Sequence, residues 1–325
     1  MTTLWDTTGT AVVKALAAER RTGGAVTSGI ALTLVVVVDQ KDVEEAEEAA
    51  TIAASRHPMR MLVVVRKQID APVPRLDAEV TIGGRLGPGE SVVLRMYGRL
   101  ALHAESVTLP LLAPDVPVVT WWHGQPPEKI AYDPLGVFAE RRITDVCRAA
   151  DPAAALLQRA DDFAPGDTDL AWARVTPWRI ALASAFDGGR HTATGATVHG
   201  GRNDPSAILL AGWLSARLGL RAEADGTDDE PISGVDIDFD HGKVTHATLE
   251  GSNLVLRREG QQDSYMPFAE RPLGELLAEE LRRLDHDHIY AEALSTISGL
   301  DGLEDRSPVR KHIWHDPAVA EQNHG

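Results

Sequence analysis

The sequence predicts an α/β protein with an α+β second half, built from two α/β-type domains. We expect a mostly parallel sheet in the first domain and a mixed or antiparallel sheet, flanked by helices, in the second. Residues 30–38 and 60–67 are continuous apolar runs on either side of an alanine- and glutamate-rich segment. Strands buried on both faces of a parallel sheet have this composition. Residues 232–260 instead alternate polar and apolar side chains, which is typical of antiparallel strands.

The first half follows a strand–helix–strand order. A capped helix precedes the central strand, and Pro58 stops the second helix before the next strand. Two shorter strands, a helix and a strand entered through prolines come after these. The corresponding segments are residues 6–21, 30–38, 41–58, 60–67, 77–84, 91–98, 100–107 and 114–122.

The second half contains a helical bridge and a further set of helices and strands. Segment 134–166 has a helical pattern that includes Cys147, and 223–231 is an acidic loop. The other predicted elements are helix 179–187, strand 192–201, helix 204–219, three strands within 232–260, and helices 272–284 and 288–297. We therefore divide the chain into an N-terminal α/β domain (1–130), a helical bridge (131–166), a C-terminal α/β domain (167–300) and a polar tail (301–325).

Composition excludes several classes of partner. The 325 residues carry 48 acidic and 32 basic side chains, a formal net charge of −16, and such a field repels nucleic acid and anionic membranes. The longest apolar run, 30–38, is about half the length that crosses a bilayer. The N-terminus has no basic segment followed by an apolar core, so we expect no signal peptide and a cytoplasmic location. Cys147 is the single cysteine, which allows no intrachain disulfide.

Motifs for cofactors, metals and catalysis are weak. The chain contains no GxGxxG, GxxxxGKS, CxxC or GxSxG pattern, so we expect no cofactor, no metal and no catalytic residue. In GGRNDPSA, Asp204 is placed to cap a helix that begins at Pro205. The alternative is an anion site that uses Arg202 at this helix start. His312 and His315 have helical spacing for zinc, but a third ligand is lacking nearby.

Two tryptophan groups are the strongest candidates for a functional surface. Trp121 and Trp122 end an apolar strand, and adjacent strand residues face opposite ways. We therefore expect one indole in the core and the other near the strand end, where ligand sites of α/β sheets collect.

The second group lies in APGDTDLAWARVTPWRIAL, residues 164–182. Asp167 or Thr168 is placed to cap a short helix over 170–174, and Pro177 is placed to begin the next one. A buried structural corner and a docking surface both fit, because Trp and Arg dominate interface hot spots.

The motifs resemble the OpcA family, whose members are known as glucose-6-phosphate dehydrogenase assembly proteins or subunits. The match runs in order from Asp6 to about Ile297, and DTDLAWARVTPWR is its most specific part. The other matching stretches are DTTGTAVVKAL, LTLVVVVD, ASRHP, PVVTWWHGQPP and DPLGVFAERRITD.

This resemblance implies a non-catalytic partner that binds glucose-6-phosphate dehydrogenase and promotes its oligomerisation and activity in the oxidative pentose phosphate pathway. In some family members cysteines are tied to redox control. We do not expect this property here, because the lone Cys147 cannot form an internal disulfide switch. A sugar-phosphate-binding enzyme or sensor is the alternative, and a purely structural adaptor is another. The resemblance identifies the following residues as family scaffold and partner surface, with Thr168 and Asp169 fixing the local turn: Trp121, Trp122, Thr168, Asp169, Trp172, Arg174, Trp178 and Arg179.

Overall fold

The computed structural model describes residues 1–22, 29–83, 89–186, 192–227, 230–242 and 244–314. Contacts divide the chain into two compact units. The first unit comprises Met1–Ile143 together with the chain from Ser307 onward, and the second comprises Thr144–Arg306. In the described ranges, every helix is too short or too polar to span a bilayer.

The first unit alternates helices and strands along the chain. Its elements are β1 (Thr2–Leu4), α1 (Gly9–Thr22), β2 (Leu32–Val38), α2 (Val43–Arg56), β3 (Met59–Lys67), β4 (Arg75–Ile82), β5 (Glu90–Tyr97), α3 (Arg99–Leu102), α4 (Glu105–Thr108), β6 (Val118–Trp122), α5 (Pro134–Val137) and β7 (Arg141–Thr144).

The predicted mostly parallel sheet is confirmed in the first unit. Within this unit the strand order is β1-β4-β5-β3-β2-β6-β7, and β2 lies between β3 and β6 with all three parallel. β4 and β1 add antiparallel pairs at one side. Leu34, Val35 and Val36 have no exposed surface, because both faces of β2 are covered. The continuous apolar composition of β2 and β3 follows from this burial.

The structure corrects three predictions made from helical patterns. The predicted helix 100–107 is two short helices, α3 and α4, because His103 between them has a non-helical backbone. In segment 134–166, predicted to be helical, β7 is a strand whose parallel pairing with β6 aligns Ile143 with Trp121. Pairing with a sheet outweighs a local helical pattern. Cys147 lies in a 3-10 turn rather than an α-helix.

The second unit contains the remaining regular elements. They are α6 (Pro152–Asp161), β8 (Asp167–Asp169), α7 (Leu170–Arg174), α8 (Thr176–Ser184), β9 (Ala193–Gly201), α9 (Pro205–Leu218), β10 (Glu223–Gly226), β11 (Gly234–Phe239), β12 (Val244–Glu250), β13 (Asn253–Arg258), β14 (Ser264–Pro267), α10 (Leu273–Leu281) and α11 (His288–Ser298).

A mixed sheet, as predicted, organises the second unit. The order is β10-β9-β11-β12-β13-β14, with β10 parallel to β9 and the other neighbours antiparallel. Val198, Val235 and Leu256 point into the core with α9 and α11, while alternate positions remain more exposed. The segment predicted as an acidic loop contains β10, an edge strand whose charged side chains discourage further pairing.

Part of the predicted polar tail packs onto the body of the protein. Leu303 is 1 % exposed and belongs to the core of the second unit. In the first unit, the backbone N–H of Ile313 donates to the carbonyl of Ala131 at 2.8 Å. His315 and the residues after it lie outside the described part of the chain.

The contact between α9 and α11 depends on a glycine, which yields a test. A Cβ atom at position 212 would lie 2.8 Å from the carbonyl oxygen of Ala293 and would collide with the side chain of Ile297. We expect Gly212→Ala to lower the free energy of unfolding of the second unit by about 1–3 kcal/mol. Urea unfolding followed by circular dichroism measures this difference.

Gly9→Ala is the matched control for this substitution. Gly9 begins α1, and a Cβ there would make only ordinary contacts, the nearest at 3.7 Å from Val107. Alanine should therefore be neutral or slightly stabilising, by up to about 1 kcal/mol. Equal effects of the two substitutions would contradict close packing at Gly212.

Candidate functional site

The Trp–Arg motif, which we define as residues 167–179, forms one continuous corner of the second unit. It comprises β8, α7 and the first half of α8. Pro177 lies in the first turn of α8, as predicted. Proline is favoured there because the first helical N–H groups have no partner within the helix.

Asp169 fixes the start of α7. Its carboxylate accepts the N–H of Ala171 at 2.9 Å, the N–H of Val146 at 3.0 Å and the hydroxyl of Thr144 at 2.5 Å. The predicted cap at Asp167 or Thr168 is therefore wrong. The backbone remains extended through Asp169, which is the capping residue, and α7 spans Leu170–Arg174, the range predicted from the sequence.

Burial controls the ionisation of this carboxylate. Asp169 has no exposed surface, and this burial, followed by the charge of Asp145, raises the pKa of Asp169 to about 6. The hydroxyl of Thr144 and the two backbone N–H groups oppose the shift by stabilising the ionised form. The carboxyl group thus accepts hydrogen bonds from one hydroxyl and two backbone N–H groups and caps α7.

Arg174 forms an ion pair within the unit. Its Nη1 and Nη2 atoms lie 2.7 and 2.9 Å from the two oxygens of Asp145. The Asp145 side chain is 1 % exposed, whereas that of Arg174 is 31 % exposed. The bidentate geometry orients α7 relative to the chain that enters the second unit.

Trp172 and Arg179 stack on each other inside the corner. The guanidinium carbon of Arg179 lies 3.5 Å from the centre of the Trp172 ring, within the range of a cation–π contact. Trp172 Nε1 donates to Asp287 at 2.8 Å, and Asp287 also caps α11. Because Trp172 is 1 % exposed, its indole links α7 to α11 and does not contact solvent.

Trp178 and the hydroxyl groups of the motif contact α10 and the segments beside it. Trp178 is 2 % exposed and packs edge-on against Phe268 at 5.9 Å. Thr176 donates to Glu279 at 2.5 Å, and Thr168 donates to Glu280 at 3.0 Å. These contacts hold α8 and β8 against α10 through buried or half-buried groups.

The motif is therefore an internal scaffold that supports one outward-facing helix side. Within α8, Trp178 and Leu182 point inward, while Ile180 is 59 % exposed and Ala183 is also exposed. Ile180 was not among the site residues predicted from the sequence. Its position two residues after Trp178, about 200° around a helix, could have identified it as outward-facing.

Trp121 and Trp122 lie in the first unit and are both buried, at 0 % and 1 % exposure. The prediction that one indole emerges from the core is wrong, because the sheet is covered on both faces at β6. Trp122 Nε1 lies 3.4 Å from a carboxylate oxygen of Asp133, which also caps α5. Trp121 packs edge-on against His123 at 5.3 Å.

Other candidate sites show packing and capping contacts. Asp204 accepts the N–H of Ser206 at 2.9 Å, and α9 begins at Pro205, as predicted. The carboxylate of Asp204 therefore accepts an N–H group at the helix start where the alternative interpretation placed an anion. Burial raises the pKa of the Cys147 thiol, which makes it a weak nucleophile. Among the described residues, no three His, Cys, Asp or Glu side chains are arranged to hold a metal ion.

Two family models match the chain in succession. The model for the N-terminal domain of the glucose-6-phosphate dehydrogenase subunit matches residues 50–161. The model for the C-terminal domain of the same family matches residues 165–294. No curated protein matches the chain. The second match includes the whole Trp–Arg motif, and the first includes Trp121 and Trp122.

Removal of the Trp178 indole tests its role in the scaffold. We expect Trp178→Ala to lower the free energy of unfolding of the second unit by about 3–5 kcal/mol, as for other buried aromatic side chains. Trp5 is 67 % exposed, so the control Trp5→Ala should change stability by less than about 0.5 kcal/mol. Urea unfolding of both variants measures the difference, and a small loss at Trp178 would contradict a structural role.

The raised pKa of Asp169 gives a pH-dependent prediction. A carboxyl group whose pKa is higher in the folded than in the unfolded state opposes folding once it ionises. The contribution of Asp169 to the free energy of unfolding therefore decreases as the pH rises from about 4 to about 6. Asp169→Asn cannot ionise. We therefore expect this substitution to destabilise the protein more at pH 4.5 than at pH 7.5, measured as the difference in unfolding free energy between the two proteins. A difference that grows with pH would contradict the raised pKa.

Proposed function

Because the chain belongs to the OpcA family of glucose-6-phosphate dehydrogenase subunits, we propose that it is a non-catalytic assembly factor for this dehydrogenase. The observation that carries the proposal is the pair of consecutive family matches over residues 50–161 and 165–294. In this proposal the protein binds the dehydrogenase in the cytoplasm, promotes its active oligomer and activates it at the entry of the oxidative pentose phosphate pathway.

Activation by a non-catalytic subunit requires a difference in affinity. If the subunit binds the active conformation of the dehydrogenase more tightly than the inactive one, it shifts the population toward the active form. A preference of about 1.4 kcal/mol shifts that equilibrium tenfold. No substrate contact by the subunit is required.

We place the contact with the dehydrogenase on the outer side of α8. The tryptophans of the motif are buried, so their role in the proposal is to position this helix. Arg179 is the single charged residue of α8 and its side chain is turned onto Trp172. The exposed side therefore presents Ile180 and Ala183 without charge, although the chain carries a formal net charge of −16. Depletion of charge is typical of the centre of a protein interface.

Kinetic titration of the dehydrogenase from the same organism with this protein tests the function. We expect a saturable rise in activity or a fall in the Michaelis constant, together with co-elution of the two proteins on a sizing column. Co-elution with unchanged kinetics would instead indicate a purely structural adaptor. A flat titration without co-elution would contradict the proposal.

Substitution of Ile180 tests the proposed contact. Ile180→Asp should weaken the complex by about tenfold or more, because it places a charge in an apolar interface, and should leave the melting temperature close to that of the unsubstituted protein. Leu157 on α6 is 49 % exposed, and Leu157→Asp is the matched control. Equal affinity of the two variants would exclude α8 as the contact, while activation by the unsubstituted protein would still support the function.

A further inference from the structure

A cleft lies at the carboxyl ends of the parallel strands in the first unit. β2 pairs with β3 on one side and with β6 on the other, so the chain order changes direction between β2 and β6. Strand connections leave a crevice at such a point, and α/β proteins commonly bind ligands there. Val38 at the end of β2 and Trp122 at the end of β6 line a cleft of about 370 Å³. This volume is within the range of small-molecule sites.

Three polar side chains that line the cleft, those of Asp39, Gln125 and Arg66, have donor or acceptor atoms available for a ligand. In the described part of the chain, the side chains of Asp39 and Gln125 make no hydrogen bond, and both residues are exposed. Arg66 uses Nη2 to contact both oxygens of Asp133 at 2.9 Å. Its Nη1 has no hydrogen-bond partner among the described residues. The cleft thus offers a carboxylate acceptor, an amide and a guanidinium donor.

Aromatic side chains form much of the remaining wall. Trp122 and Tyr132 line the cleft from the body of the unit, and Trp314 joins them from the C-terminal segment. The ring of Trp314 is stacked on His103 with centroids 5.5 Å apart and an interplanar angle of 3°. Trp314 is nevertheless 58 % exposed, so part of its indole surface remains available to a flat ligand.

The charge of the cleft disfavours an anion. Among the described residues that line it, Arg66 is the only lysine or arginine, and Asp133 neutralises its charge. Asp39 then leaves an unpaired negative charge at the mouth. A phosphate or carboxylate group would therefore be repelled.

We propose that this cleft binds an uncharged ring compound with neighbouring hydroxyl groups, either a free monosaccharide or the ribose of an unphosphorylated nucleoside. Asp39 accepts hydrogen bonds from two ring hydroxyls, and Arg66 and Gln125 donate to the ring or hydroxyl oxygens. The apolar face of the ring packs against Trp314. The site is independent of α8 and does not depend on the proposed binding of the dehydrogenase.

Isothermal titration of the full chain with glucose, adenosine and glucose 6-phosphate tests the proposal. We expect glucose or adenosine to bind saturably with a dissociation constant below about 10 mM. The compound that binds more tightly shows whether the hydroxylated ring is that of a free monosaccharide or of a nucleoside. Glucose 6-phosphate should bind at least tenfold more weakly than glucose. The absence of saturable binding by both neutral probes, or tighter binding of glucose 6-phosphate than of either, would overturn the proposal.

Two substitutions locate the binding site. Asp39→Asn and Trp314→Ala should each weaken binding of the preferred neutral probe by about tenfold or more, because a hydrogen bond to a charged group or an aromatic contact is lost. Asp39→Asn should also reduce the difference in binding affinity between glucose and glucose 6-phosphate, because it removes the negative charge that repels the phosphate. A purely structural effect of the substitution would weaken the binding of both ligands equally. The matched controls are Asp301→Asn and Trp5→Ala, which alter exposed residues outside the cleft. Unchanged binding by both cleft variants would overturn the proposal.

Discussion

The carboxylate of Asp169 joins the chain that enters the second unit to the start of α7. It accepts hydrogen bonds from Thr144 and Val146 on one side and from Ala171 on the other. The orientation of α7 then sets the position of Trp172, whose indole N–H reaches Asp287 at the cap of α11. A buried carboxylate that lost these donors would carry an uncompensated desolvation cost. The helices around the motif therefore depend on this local set of hydrogen bonds.

A scaffold of this kind has a physical advantage for a protein that binds a partner. Side chains that must be ordered on association reduce affinity by about 0.5–1.5 kcal/mol each. The inward face of α8 is already fixed by Trp178 and by the stacking of Arg179 on Trp172. Only the short side chains of the outer face would lose freedom when a partner covers them. In the proposed complex, the aromatic residues of the motif would influence binding without contacting the partner.

The sequence predicted best the features that depend on local chemistry or on burial from both sides. Strands β2 and β3 were identified because their apolar composition follows from burial on both faces. The start of the helix at Asp204 and Pro205 was identified because it depends on local capping. The strands β7 and β10 were missed because their stability comes from pairing with β6 and β9, which are distant in sequence or separated by a helix. In the candidate site, the sequence identified the motif but could not decide the exposure of its indoles. That property depends on α10 and α11, about 100 residues later along the chain.

The first unit is discontinuous along the chain, and this has a consequence for biosynthesis. Its main part ends at Ile143, but the segment that carries Ile313 and Trp314 follows the entire second unit. Translation proceeds at about 5–20 residues per second, so the ribosome takes on the order of ten to thirty seconds to synthesise the intervening chain. During that interval the carbonyl of Ala131 cannot accept the hydrogen bond from the N–H of Ile313. The cleft also lacks the part of its wall that Trp314 forms. The first unit is therefore completed only after the second unit has been synthesised.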